Sequence, residues 1–296
     1  MINADTALTF LSFVENRHKV WERRQAGIPQ EAWTNDPIIA TRKFTSVYRV
    51  LDYGSQFVLT DLVDPDLDER GQLMRLFLYR HTGRVEAWEW LAIMAETGYP
   101  RTTEDLFEVR ELWARYREEQ GRFFTNAYLV FPQSTVPGTD KLDSIIDLTS
   151  RLFTPGSPQD VVPDFLAGKN QPERFAALRR NKGVADFMSM QILTDWGYTP
   201  HCGEDRENEF VVAGPGARKG AAALGMDPQA AIEWGVLSLR NSGTVRLGDR
   251  LPSYMDVQNC LCEFSKYVRF QQDDSHKRTW QPAHPGWRDY VVPDFW

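Results

Sequence analysis

Apolar positions along the chain recur at spacings of three and four residues, and nowhere alternate over a sustained stretch. Residues 6–24 place Leu8, Leu11, Val14 and Val20 near one face with charges opposite, which predicts an amphipathic helix. The same reasoning predicts helices over residues 45–63, 73–79 and 85–96, the last ending before Gly98 and Pro100. Residues 103–120 open on a Thr-x-Glu-Asp capping pattern and carry charge along one side. Further helices are expected over residues 141–152, 171–180, 184–196, 228–240 and 254–270. Without period-two alternation the fold class is all-α, with at most a short hairpin over residues 244–251.

Residues 153–170, FTPGSPQDVVPDFLAGKN, are rich in Pro and Gly and read as the connection between two helical lobes, 1–155 and 170–278. Residues 279–296 hold three Trp and three Pro, too aromatic for a disordered tail, and are expected to pack as an extended strap.

Composition narrows the function. With 42% hydrophobic and 25% charged residues, the 296-residue chain has the makeup of an ordinary globular protein. No apolar run approaches the roughly 18 residues of a membrane helix. The start, MINADTALTF, has no basic flank or cleavage pattern of a secretory signal. Three cysteines, Cys202, Cys260 and Cys262, cannot build a disulfide framework, which fits a reducing, cytoplasmic setting. A net charge of −7 excludes a protein that coats nucleic acid along its whole surface, but not one with a local basic groove. Arg42-Lys43, Arg179-Arg180-Asn181-Lys182, Arg218-Lys219 and Lys277-Arg278 are the candidates for that groove.

Several common chemistries are missing from these residues. The closest approach to a phosphate-binding loop is GPGARKG at Gly214–Gly220, which lacks the terminal Lys-Ser/Thr. Five scattered histidines give no zinc spacing, three cysteines cannot hold a four-cysteine iron–sulfur cluster, and no G-x-S-x-G elbow occurs.

Three polar constellations stand out. Within RKFTSVYRVLDYGSQFVL, a helix would set Thr45, Tyr48, Arg49, Asp52 and Gln56 in one stripe. Those residue types suit directional hydrogen bonds to phosphate and base edges, and Lys43 lies beside them. A second group begins at the turn RRNKG, whose amides and Arg179, Arg180 and Lys182 suit a DNA phosphate, and continues with Gln191 and Asp195 at helical spacing. It ends in ENEFVVAGPGARKG, where Gly214, Pro215 and Gly216 precede a helix start carrying Arg218 and Lys219. Cations there oppose the helix dipole unless an anion sits nearby. A simple loop with glycines at positive φ would explain the same residues. The third group, DVQNCLCEFSKYVRF, brings Glu263, Lys266, Tyr267 and Arg269 to helical spacing, which an ordinary surface pair would also produce.

The segments TSVYRVLDYGSQ, ADFMSMQILTDWGY, FVVAGPGARKG and NCLCEFSKYVR, with LFLYRHTGRVEAW and FTNAYLVF, resemble the alpha-glutamyl/putrescinyl thymine pyrophosphorylases, the amino acid:DNA transferases of phages with hypermodified DNA. The helical part of 5-hydroxymethyluracil DNA kinases is related to that family. The resemblance spans residues 43–269. It implies a helical fold distantly similar to helix-hairpin-helix glycosylases, acting on double-stranded DNA in the cytoplasm of a phage-infected host. Its substrate would be thymine whose 5-hydroxymethyl group a phage kinase has pyrophosphorylated, and a free amine such as glycine, glutamate or putrescine would displace pyrophosphate. Two departures matter: RRNKG has one glycine where such hairpins usually have two, and His81 stands where an Asn-like residue is expected.

That reaction needs a flipped base, a neutral amine and a stabilised leaving group. Asp195 and Glu209 are the candidate proton acceptors; Arg218, Lys219 and the Gly214–Gly216 backbone are the candidate pyrophosphate ligands, supplemented by Arg49 and Lys266. Mg2+ accompanying the pyrophosphate is compatible with this chemistry, without a dedicated ligand cluster. Direct displacement and a methide-like intermediate stay open. So do two other functions, a glycosylase-like base-excision enzyme and a non-catalytic DNA-binding module.

Overall fold

The structure, a computed structural model, describes residues 4–124, 139–203, 210–272 and 290–293. In chain order its α-helices are α1 (Ala4–Gln25), α2 (Pro37–Thr41), α3 (Tyr53–Phe57), α4 (Glu69–Thr82) and α5 (Val85–Met94). There follow α6 (Leu106–Gln120), α7 (Lys141–Phe153), α8 (Val162–Ala167), α9 (Gln171–Arg179) and α10 (Asp186–Trp196), then α11 (Pro215–Ala223), α12 (Pro228–Ser242) and α13 (Tyr254–Gln272). Among the described residues the nearest approach to a strand pair is Leu247 and Arg250, which exchange N–H···O bonds of 3.1 Å. The all-α class and the ceiling of one short hairpin therefore hold among the described residues.

The residues divide into two compact units, Met1–Tyr53 with Asn208–Trp296, and Gly54–Glu207. The division differs from one placed at residues 153–170. That stretch is held inside the second unit: Arg70 donates to the Phe153 carbonyl at 2.9 Å and makes a two-point pair with Asp160 at 2.8 and 2.9 Å. Val161 N–H bonds to Leu152 O at 3.0 Å, and the stretch itself contains α8.

Helix α4 forms the centre of the second unit, buried at every position from Gly71 to Thr82. Its apolar residues pack in an aromatic core with Trp88, Trp113 and Phe153. Two of its polar residues are satisfied inside: Gln72 takes the Asp64 N–H and donates to Leu62 O, and Arg75 donates to Leu62 O and Pro100 O. Asp68 caps its start by accepting the Gly71 N–H at 2.7 Å. Helices α9 and α10 are joined by a turn at 181–184 that places Gly183 at φ +100°, a conformation glycine adopts without strain.

In the first unit α13 is the hub, packed against α1, α2, α11 and α12. The buried stripe of α1 is Ala7, Phe10, Phe13, Val14, Arg17 and His18. Leu8, expected on the inner face, is 67% exposed, because Phe10 and Phe13 bury more apolar area on Phe264 and turn the helix toward them. Of the C-terminal strap only residues 290–293 are described; Tyr290 packs edge-on against Trp21 at 5.6 Å.

Candidate functional site

The helix expected over residues 45–63 is broken. Residues 43–48 are irregular, Arg49–Leu51 form a 3-10 turn, and regular helix begins only with α3. The reason lies in who accepts the backbone amides. Asp52 Oδ1 takes the Ser46 N–H at 2.8 Å, Asp256 Oδ1 takes the Arg49 N–H at 2.8 Å, and Glu263 Oε2 takes the Thr45 N–H at 3.3 Å. These side chains replace the carbonyls of a helix. The carbonyls are held as well: Arg17 Nη2 donates to Thr45 O at 2.5 Å and to Ser46 O at 3.0 Å. Asn259 Nδ2 donates to Ser46 O at 3.2 Å and to Thr45 Oγ1 at 3.1 Å. Every backbone polar group of Thr45 and Ser46 is thus fixed by a side chain, so the loop is rigid without secondary structure.

Helix α13 sorts its neighbours by face. Asp256, Asn259 and Glu263 meet the loop at residues 45–49, while Leu261 and Cys262 meet α11. Three of the segments singled out in the sequence, the Thr45–Asp52 loop, the Gly214–Gly220 turn and α13, thereby come together in one unit. The site that the loop forms with α1 and α13 is rich in charge. Arg17, Arg49, Asp52, Glu263 and Lys266 are all buried or half-buried. Glu263 is bound by Lys266 one turn along the helix, and Asp52 Oδ2 lies 4.0 Å from Arg49 Nη1. Burial pushes the Asp52 carboxyl up to about 6; Arg49, the Ser46 N–H and Arg17 pull it down, and Glu263 adds to the rise. A carboxylate poised there changes charge near physiological pH.

Arg17 is 5% exposed, with Nε and Nη1 buried and without hydrogen-bond partners, and its guanidinium lies 5.0 Å from the Phe13 ring centroid. Among the described residues no carboxylate pairs with it. Its charge is answered at longer range by the Asp52 carboxylate, which Arg17 helps to hold ionised.

The Gly214–Gly220 turn begins α11 with Gly214 as an N-cap that offers no side chain and Pro215 at the first position. Arg218 Nε folds back to Ala213 O at 2.9 Å, and Arg218 and Lys219 are exposed. Gly216 was expected to admit phosphate or to take a positive φ. Its φ is not positive, and a Cβ there would lie 2.2 Å from Cys262 Sγ; at Gly220 a Cβ would lie 2.1 Å from Leu261 O. These glycines let α11 press against α13.

The other candidates fall in several places. Tyr48 is fully buried, its hydroxyl donating to Val245 O and Arg250 O, and Tyr267 donates to Asp36 Oδ2 at 2.7 Å. Lys43 and Arg269 are exposed, the latter with its guanidinium 5.7 Å from the Phe270 ring. Gln56 belongs to α3 in the other unit. There, Arg179 pairs with Asp186, Arg180 pairs with Asp164 at 3.2 Å, and Lys182 is exposed. Gln191 is buried. Asp195, a candidate proton acceptor, is 0% exposed and gripped at both oxygens by Arg80, so it is a core ion pair and not a base open to an amine. Glu209 lies outside the described residues. Among the described residues no group of three His, Cys, Asp or Glu could hold a metal ion, and no helix is long and apolar enough to cross a membrane.

Sequence reasoning missed Arg17, Arg80, Asp256 and Asn259. For Arg17 a signal existed: it falls seven residues after Phe10 and four after Phe13, a charge on the apolar stripe of α1.

No solved structure matches the chain. A 5-hmdU DNA kinase of Bacillus phage SP10 is 32% identical over 293 residues, covering 88% of this chain and 44% of that protein, so the chain spans under half the length of this curated relative. The family model described as the helical domain of 5-hmdU DNA kinase matches residues 4–277. By that match over nearly its whole length, the chain belongs to the 5-hmdU DNA kinase helical-domain family.

Proposed function

We propose that the chain acts in thymine hypermodification of phage DNA, on 5-hydroxymethyl-deoxyuridine that a kinase module has activated, and that it exchanges the resulting pyrophosphate for an amine. Family membership supports the DNA substrate. The single observation that carries the chemistry is the Thr45–Asp52 site on α13: the Asp52 carboxyl, raised by burial to about 6, with Arg17 and Arg49 acting on it and the Glu263–Lys266 pair at the same loop. Amine transfer needs a proton acceptor that works near pH 7 and cations to receive a departing anion. The 296 residues hold no P-loop motif, which disfavours a kinase of that type within them and fits a reading in which the ATP-dependent step is carried by another module.

A second reading is favoured by the relative's name: the helical domain presents 5-hydroxymethyl-deoxyuridine in DNA to a kinase and has no chemistry of its own. One set of incubations separates the readings. With pyrophosphorylated DNA and a mixture of glycine, glutamate and putrescine, nucleoside mass spectrometry should show an amine adduct and released pyrophosphate. A presenting domain would give no adduct, but would bind the DNA and stimulate an added kinase. Abasic sites would point instead to base excision.

A further inference from the structure

Resting on the amine-transfer reading, we propose that Asp52 is the group that takes the proton from the incoming ammonium, the role the sequence had given to Asp195 and Glu209. Asp195 is closed off by Arg80 in the core of the other unit. Asp52 is half-buried, and its two oxygens are unequally engaged. Oδ1 accepts the Ser46 N–H at 2.8 Å, which fixes the plane of the carboxyl, while Oδ2 meets Arg49 only at 4.0 Å. The other acids at the loop are fully engaged: Glu263 is held by Lys266 and the Thr45 N–H, and Asp256 by the Arg49 N–H and Ser253. Glu263 is thus committed to fixing the loop, while Asp52 keeps one oxygen with only a long contact to a cation.

The charged and titratable groups facing Asp52 are Arg49 on its own loop, Arg17 from α1, Glu263 from α13 and Tyr290 from the C-terminal segment. Their opposed effects leave burial as the main influence, which is what places this carboxyl near neutrality. The proton balance is simple. R–NH3+ gives one proton to the Asp52 carboxylate and becomes R–NH2. Its lone pair forms the C–N bond as the C–O bond to pyrophosphate breaks, and pyrophosphate leaves with that electron pair. The new secondary ammonium then loses its second proton to water, and Asp52 returns its own to solvent.

The test is the pH profile of amine transfer by the wild type and Asp52→Asn, with glycine and with methoxyamine, which is already neutral near pH 7. Wild type with glycine should rise through about pH 6 and then level. Asp52→Asn should lose about 10²–10⁴-fold with glycine at pH 7 and keep rising with unit slope toward the amine's own pKa. With methoxyamine the variant should recover to within about tenfold of wild type. Equal losses with both amines would show that Asp52 only shapes the loop, and equal activity with glycine would remove it from the mechanism. If the variant does not fold, the wild-type profiles decide: a limb near pH 6 with glycine and not with methoxyamine supports Asp52, and the same limb with both overturns it. Failure of the wild type with every amine would instead defeat the transfer reading itself.

Discussion

Gly216 of α11 lies so close to Cys262 of α13 that a methyl group added to it would sit 2.2 Å from the thiol sulfur. The contact explains a glycine-rich helix start without any ligand, and it can be separated from ligand binding. Gly216→Ala should cost about 1–3 kcal/mol of stability through overpacking. Cys262→Ala in the same molecule should return most of that loss, since the obstructing atom is removed. Gly220→Ala should not be rescued this way, because its obstacle is the Leu261 carbonyl oxygen at 2.1 Å. Urea denaturation of Gly216→Ala and Gly220→Ala, each with and without Cys262→Ala, checks it; a Gly216→Ala protein of wild-type stability would contradict the packing account.

Arg80 and Asp195 should behave as structure. Removing one partner of a buried, two-point pair leaves a charge without compensation, so Arg80→Ala should destabilise by about 3–5 kcal/mol. Replacing both by residues of matching volume, Arg80→Met with Asp195→Leu, should cost much less than Arg80→Ala. A double variant that is stable but wholly inactive would return Asp195 to the chemistry.

A buried histidine and a half-buried carboxyl should give opposite pH slopes. His81 donates Nδ1–H to Phe77 O, its Nε2 is buried without a partner, and burial lowers its pKa to about 4. The unfolded chain then binds a proton between about pH 4 and 6.5 that the folded one refuses, so stability falls as pH drops through that window, by about 3 kcal/mol. Asp52, raised to about 6, does the reverse: the folded form keeps its proton longer, and stability falls as pH rises from about 4 to 6. His81→Asn should abolish the first slope and Asp52→Asn the second, as read from unfolding free energies at several pH values. Variants parallel to wild type across this window would contradict both assignments.

The turn between α9 and α10 is an exposed basic feature of its unit, and Arg179 and Arg180 already have carboxylate partners with about half or more of their surface in solvent. Such pairs are weak enough for DNA phosphate to displace. Replacing Arg179, Arg180 and Lys182 by Ala should lower the log–log salt slope of DNA binding by roughly two to three, about 0.9 for each lost phosphate contact. An unchanged slope would place the DNA elsewhere.

Much of the architecture could be read before the structure. Where apolar spacing alone decides, as in α7, α12 and α13, the expected helices are present to within a residue or two. The failures share a cause. Residues 45–52 have helical spacing, yet distant side chains, Asp256 and Glu263, take their amides, and no local pattern announces a partner more than two hundred residues away. Asp195 has the spacing of a functional carboxylate, but its meaning depends on Arg80, which is 115 residues earlier in the chain. Asp52 and Glu263 were both singled out, while the chemistry was assigned to other acids, because burial and charge environment are set by the fold.

The central claim is exchange at the methylene carbon, and an isotope can follow the bond that breaks. DNA is prepared with 18O between the thymine methylene and its pyrophosphate, and incubated with the protein and 15N-glycine. Carbon–oxygen cleavage by an amine sends the 18O into released pyrophosphate and leaves 15N on the nucleoside, and this is the predicted result. Retention of 18O on the nucleoside, with no 15N incorporated, would show phosphorus–oxygen chemistry and contradict the account.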